Sequence, residues 1–203
     1  MPSPIHSAYA LVDWHNVQRH LSPEFQKDPG RSLPNALLRL QQGLARLLMH
    51  LDSTVSYRVV MRLYHGWHEG RETTQIRRIF ERFAQDPHLA RRISRVSFTP
   101  GFRFGNELAC DSRLNPLYST YRGGGQDTGQ KMVDTAIACD LLHILKSGLA
   151  DVGVIVSDDD DLVPAVFTAE AWKLRAILLR EPERTLDHIS MGDCTSVVRY
   201  WNF

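Results

Sequence analysis

The segment Gly153–Pro164, GVIVSDDDDLVP, constrains the fold more than any other part of the chain. Val154, Ile155 and Val156 form a β-branched run of the kind found in buried parallel strands. Ser157 breaks it, four consecutive aspartates follow (Asp158, Asp159, Asp160 and Asp161), and Leu162 onward is apolar at helical spacing. That reads as a strand, a turn and the start of a helix. Pro164 fits the helix because it falls in the first turn. Two like charges about 4 Å apart repel by roughly 4 kcal/mol at an effective dielectric near 20. Burying more than one of these carboxylates therefore needs an offset: a divalent cation, a basic side chain, a helix N-terminus or water. The simpler alternative has Asp161 capping the next helix and the other three in solvent.

Other apolar runs alternate with helical patterns on either side of this segment. Tyr9–Val12 is a short strand ending in Asp13, and Pro23–Pro34 is polar, with Pro and Gly, and reads as a loop. Leucines 37, 40, 44, 47, 48 and 51 mark a helix over Leu33–Leu51. Val55–Tyr64 is a second strand, Glu72–Ala84 an Arg-rich helix and Ile93–Phe98 a third strand. Pro100–Gln130 keeps no period, so an irregular insertion is expected at about 100–130. A short strand is expected in it near Leu117–Tyr121, and the turn Gly123–Gly125 reads as a lid hinge. Lys131–Lys146 is a strong helix, Val152–Val156 the fourth strand, and Arg175–Leu179 the fifth, after a helix to Trp172. A short helix over Arg184–Met191 and an extended piece over Val197–Trp201 follow. The expected fold is α/β: a Rossmann-like parallel sheet of about five strands flanked by helices. Residues 1–203 are expected to form a single domain, with a substantial core.

In such a sheet, the C-terminal ends of the strands and the N-termini of the following helices share one edge. Asp13, Asp134, Asp159 and Asp161 all belong there. If strands one and four are neighbours at the topological switch point, the four carboxylates meet in one crevice. Asp140 lies about 9 Å further along its helix than Asp134, at the base of the site or behind the residues that line it. Lys131 and Arg122 flank Asp134 and a helix N-terminus, which suits contact with a phosphate. His15, His65 and His68 lie near the same edge, while Trp14, Trp67, Trp172 and Trp201 read mainly as packing residues.

An all-oxygen donor set suits Mg²⁺ or Mn²⁺ rather than zinc, and carboxylate-bound magnesium commonly serves phosphodiester hydrolysis. Other chemistries fit less well. GGGQDTGQK lacks the GK[ST] ending of a P-loop. Pro164 stands where an EF-hand needs glycine, and His15 where an aspartyl-phosphate phosphatase needs a second aspartate. Ser157 has no nucleophile-elbow context.

The formal net charge is +1, so a global basic field is absent, but the charges are unevenly placed. Residues 58–103 hold arginines 58, 62, 71, 77, 78, 82, 91, 92, 95 and 103 against only Glu69, Glu72, Glu81 and Asp86. Arginine suits bidentate phosphate binding. No apolar run reaches the roughly 18–20 residues of a membrane span, and the N-terminus lacks the pattern of a secretory signal. Cys110, Cys139 and Cys194 are scattered and read as buried thiols, so a cytoplasmic setting is expected.

Taken together, Asp13-x-x-Asn16, Lys131-x-x-Asp134 with Asp140, and Ser157-x-Asp159-x-Asp161-x-x-Pro164 resemble the NYN domain of the PIN-like nuclease superfamily. The motifs follow the family's order across most of the chain. The resemblance implies a metal-dependent ribonuclease in which Asp13, Asp134, Asp159 and Asp161 bind metal and Asn16 orients the site, with Ser157 and Asp140 behind them. Asp158 and Asp160 depart from the pattern, which has a small residue and a serine there. The expected activity is endonucleolytic RNA hydrolysis with Mg²⁺ or Mn²⁺. A catalytically weak RNA-binding or regulatory module, and a nuclease acting on DNA, are the alternatives. A protein partner or a second copy is left open.

Overall fold

A computed structural model describes residues 4–21, 27–109, 116–118, 120–122, 129–180 and 198–200. The fold is α/β, with a mixed sheet of mostly parallel strands flanked by helices. β1 (Ile5–Asp13) runs through the middle of the sheet. β2 (Ser56–Tyr64) pairs with it on one side and β10 (Val152–Val156) on the other, both parallel. Beyond β10 lie β11 (Ala176–Arg180) and β12 (Val198–Tyr200); beyond β2 lie β6 (Val96–Phe98) and β5 (Arg92–Ile93). β7 (Arg103–Phe104) also pairs with β2, making eight strands. The chain moves from β1 to β2 and later returns on the opposite flank at β10. The β1–β10 junction is therefore the switch point where such sheets bind ligands.

Two helical layers cover the faces. α1 (Trp14–Leu21), α2 (Pro29–Leu51) and α3 (Gln75–Glu81) belong with the face carrying Ala8, Ala10, Val12, Val59, Met61 and Leu63. α4 (Val133–Lys146) and α5 (Val163–Ala171) cover Leu11, Ile155 and Leu178. β10 and β11 are buried along their whole length, as a central parallel strand requires. Gly153 lets α4 come close to β10: a Cβ there would lie 2.5 Å from Leu141 Cδ1. That contact fixes the height of α4 against the sheet, and with it the position of Asp134 in the helix's first turn.

Several sequence expectations need correction. The sheet has more strands than expected and is not wholly parallel. The third strand splits into β5 and β6, an antiparallel pair turned at Ser94, whose φ is 56°. The Arg-rich helix is shorter than Glu72–Ala84: Glu72–Thr73 forms β4, antiparallel to β3 (His68–Glu69) across a turn with Gly70 at φ 60°. Residues 29–34 are helical rather than loop, because the Asp28 side chain caps Arg31 N and Pro29 suits a helix start. The strand expected near Leu117–Tyr121 falls at Tyr121–Arg122 (β8), which joins β3 and β9 (Gly129–Gln130) in a second small sheet. Cys139 is exposed on α4 rather than buried, and Trp172 is half exposed rather than packed. Cys110, Cys194, Trp201, the Gly123–Gly125 turn and the helix expected over Arg184–Met191 lie outside the described residues. No helix among the described residues is long and apolar enough to cross a membrane.

Candidate metal centre

Strand register builds the site. Val12 pairs with Val156, and Asp13 pairs with Tyr64 at the last step of β2. Asp13 and Ser157 are thus the next residues out on neighbouring strands. Ser157 Oγ donates to Asp13 Oδ2 at 2.9 Å, and Asn16 Nδ2 donates to the same oxygen. Asn16 Nδ2 also lies 3.3 Å from Ser157 Oγ, which accepts the Asp159 backbone N–H at 3.1 Å. Asp159 Oδ1 in turn accepts the Asp161 N–H at 3.0 Å and caps a single 3₁₀ turn, Asp160–Leu162, that leads into α5. The capping expected of Asp161 therefore belongs to Asp159.

The four adjacent aspartates separate into different environments. Asp158 is buried, with Oδ2 3.2 Å from His20 Nε2 on α1. Asp160 pairs with Nη1 of Arg180, which ends β11, while Arg180 Nη2 donates to the Asp158 carbonyl at 2.7 Å. Asp161 is exposed. Asp159 turns instead toward Asp13 and Asp134. One carboxylate oxygen from each of these three lies within 4.8 Å of the other two. They come from a strand end, a helix start and a turn, and among the described residues no lysine or arginine pairs with any of them.

The electrostatics register this crowding. Burial pushes Asp13 above the usual carboxylate range, against the lowering effect of its bonds from Asn16 and Ser157. Asp134 is raised to about 6, by burial first and then by the charges of Asp13, Asp159 and Asp161. Asp161 thus acts on the cluster through its charge while lying outside the closest trio. His65, next to β2, stays neutral at pH 7: burial lowers its imidazole to about 4, and its ring lies 5.8 Å from that of His15. Three converging carboxylate oxygens make an all-oxygen set that could hold a metal ion.

The remaining expected residues are not among the three clustered carboxylates. Asp140 is fully buried, and its partners are the Tyr64 hydroxyl at 2.6 Å, Arg62 Nη2 at 3.2 Å and the Ala109 N–H at 2.6 Å. It anchors α4 to β2 and to the segment after β7. Lys131 is exposed just ahead of α4, with its N–H on the Thr120 carbonyl. Arg122 lies in β8, and its side chain falls outside the described residues. Trp14 and Trp67 are core residues, each stacked at an angle on Phe80. A cleft of about 1050 Å³ lies apart from the three aspartates, lined in part by Arg62, Arg77, Arg82 and Arg103. Arg180 and His20 were not evident as site residues. Arg180 had a usable signal, a charge closing the apolar run Ala176–Leu179 on a strand that neighbours β10. His20 had none. Comparison of the chain with protein-family models, with curated proteins and with solved structures finds no match.

Proposed function

We propose that the protein is a divalent-metal-dependent nuclease of the PIN-like type that cleaves RNA internally at the Asp13–Asp134–Asp159 cluster. One observation carries the reading. In a run where Asp158 and Asp160 each have a basic partner, Asp159 instead faces two more carboxylates with no cation among the described residues. Three carboxylates held this close without a counter-charge are costly, and a bound cation turns that cost into affinity.

Asp13, Asp134 and Asp159 would hold the ion, with Asp161 adding negative charge beside them. When bound, Mg²⁺ or Mn²⁺ lowers the pKa of a coordinated water and stabilises charge on the scissile phosphate. The chain's own residues prepare the site for this. Asn16 and Ser157 donate to Oδ2 of Asp13 and the Asn16 backbone N–H to Oδ1 at 3.4 Å, so the orientation of the carboxylate is fixed. Ser157 also accepts the Asp159 amide, which couples the two ligands through one hydroxyl. Lys131, exposed ahead of α4, would meet a phosphate at that helix's N-terminal end. RNA is the proposed substrate because the NYN-like motifs resemble those of ribonucleases.

The test is a parallel assay of unstructured RNA, single-stranded DNA and mononucleotides with Mn²⁺, Mg²⁺ or EDTA. Internal cleavage of RNA that needs the metal and is lost in Asp134→Asn supports the reading. Faster cleavage of DNA moves the substrate class. RNA bound but left intact under every metal condition replaces the nuclease with a binding module.

A further inference from the structure

Arg180 is 1 % exposed and ends β11, one strand beyond the switch point. Its two terminal nitrogens both reach the aspartate turn: Nη1 to the Asp160 carboxylate and Nη2 to the Asp158 carbonyl. Its Nε is buried with no hydrogen-bond partner among the described residues. A buried guanidinium with an unsatisfied donor is expensive, and the two contacts it makes offset that cost. Those contacts bracket Asp159, the ligand candidate between them in sequence.

We propose that Arg180 is the positioning residue of the metal site, a brace that grips the turn on both sides of Asp159 and thereby points that carboxylate at Asp13 and Asp134. This inference rests on the metal-site reading above. The brace acts in two ways. It cancels the Asp160 charge, which otherwise sits next to Asp159 and Asp161 and pushes the turn apart. It also holds the Asp158 carbonyl, which fixes the peptide leading into Asp159. Arginine is suited to both tasks because its planar fork donates in two directions at once, whereas lysine offers a single point charge.

The experiment uses the full chain as wild type, Arg180→Lys and Arg180→Met, with folding checked by circular dichroism. Hydrogen–deuterium exchange is measured on the metal-free proteins, and Mn²⁺ affinity is then measured by calorimetry. Arg180→Met is expected to speed exchange of the amides at 157–162 while α4 stays protected, and to weaken Mn²⁺ binding by at least about tenfold, the usual scale for losing a group that orients a ligand. Arg180→Lys is expected to fall between, and it carries both readouts if the Met variant does not fold. Unchanged exchange at 157–162 overturns the brace. Faster exchange with wild-type Mn²⁺ affinity overturns its role toward the metal. A wild-type protein that binds no Mn²⁺ contradicts the metal site itself, and the exchange arm then still decides whether Arg180 holds the turn.

Discussion

Asp13 and Ser157 are 144 positions apart in the chain and 2.9 Å apart in the fold, hydroxyl to carboxylate. The contact follows directly from the parallel register of β1 on β10. It makes the serine a fixed donor rather than a nucleophile, because its proton is committed to Asp13 and its lone pair to the Asp159 amide. Ser157→Ala removes both bonds at once. The Asp13 carboxyl should then rise further, since a donor that favours its charged form is gone. Mn²⁺ affinity should fall by about tenfold, read by calorimetry at pH 7.

The three clustered carboxylates should separate activity from stability. Asp13→Asn, Asp134→Asn and Asp159→Asn should each lower RNA cleavage by at least about a hundredfold at saturating Mn²⁺. Asp134→Asn should also raise the melting temperature of the metal-free protein, because it removes one of three mutually repelling charges without breaking a bond to another side chain. Asp13→Asn should not, because Asp13 accepts from Asn16 and Ser157. Parallel melting curves with EDTA check both.

The raised Asp134 predicts a pH dependence with a definite sign. The folded metal-free protein keeps its proton on Asp134 up to about pH 6, while the unfolded chain loses it near 3.8. Between those values the folded state binds the extra proton, so stability falls as pH rises and the full penalty is present above about 6. Urea unfolding with EDTA should show the protein less stable at pH 7 than at pH 5. Asp134→Asn should flatten that slope. Added Mn²⁺ should restore stability at pH 7 and do little at pH 5, where protons compete for the ligands.

Asp158 and Asp159 should differ in kind. Asp158 is buried against His20, away from the trio, so Asp158→Ala should cost stability on the scale of about 1–3 kcal/mol for a stranded buried polar group. The folded variant should keep Mn²⁺ affinity within about threefold of wild type, below the change expected when a ligand-orienting group is lost. Urea titration and calorimetry on the same sample distinguish this from Asp159→Ala, which should lose Mn²⁺ and keep most of its stability.

Asp140 should behave as an anchor. Its partners Tyr64, Arg62 and the Ala109 amide tie three segments together, and burial holds the Tyr64 hydroxyl well above its usual range, so it remains a donor. Asp140→Asn leaves Arg62 without its buried counter-charge and should lower the unfolding midpoint in urea strongly, by about 3–5 kcal/mol in stability. Mn²⁺ affinity of the folded fraction should change little.

The sequence showed the parts of the fold that rest on local chemistry. The β-branched run before Asp158, the leucine stripe of α2 and the apolar face of α4 mark their elements because burial demands those patterns. The meeting of Asp13, Asp134 and Asp159 was legible because a parallel sheet gathers strand ends on one edge. The partition of the aspartate run was not legible. Which carboxylate meets Arg180, which meets His20 and which faces the trio depends on residues 20 or more positions away, and no period in the sequence encodes such pairings. α1 was missed because its apolar stripe is too short to stand out from the polar stretch around it. The split third strand was missed because Ser94 adopts a left-handed turn conformation that serine seldom signals.

The most direct measurement is anomalous diffraction from a crystal grown with Mn²⁺, collected at the manganese edge. The account predicts one strong peak within about 2.5 Å of carboxylate oxygens from Asp13, Asp134 and Asp159 together, at ordinary oxygen–metal bond lengths. No peak between those three carboxylates, or a peak held by Asp160 and Asp161 while Asp13 and Asp134 stay clear of it, would contradict it.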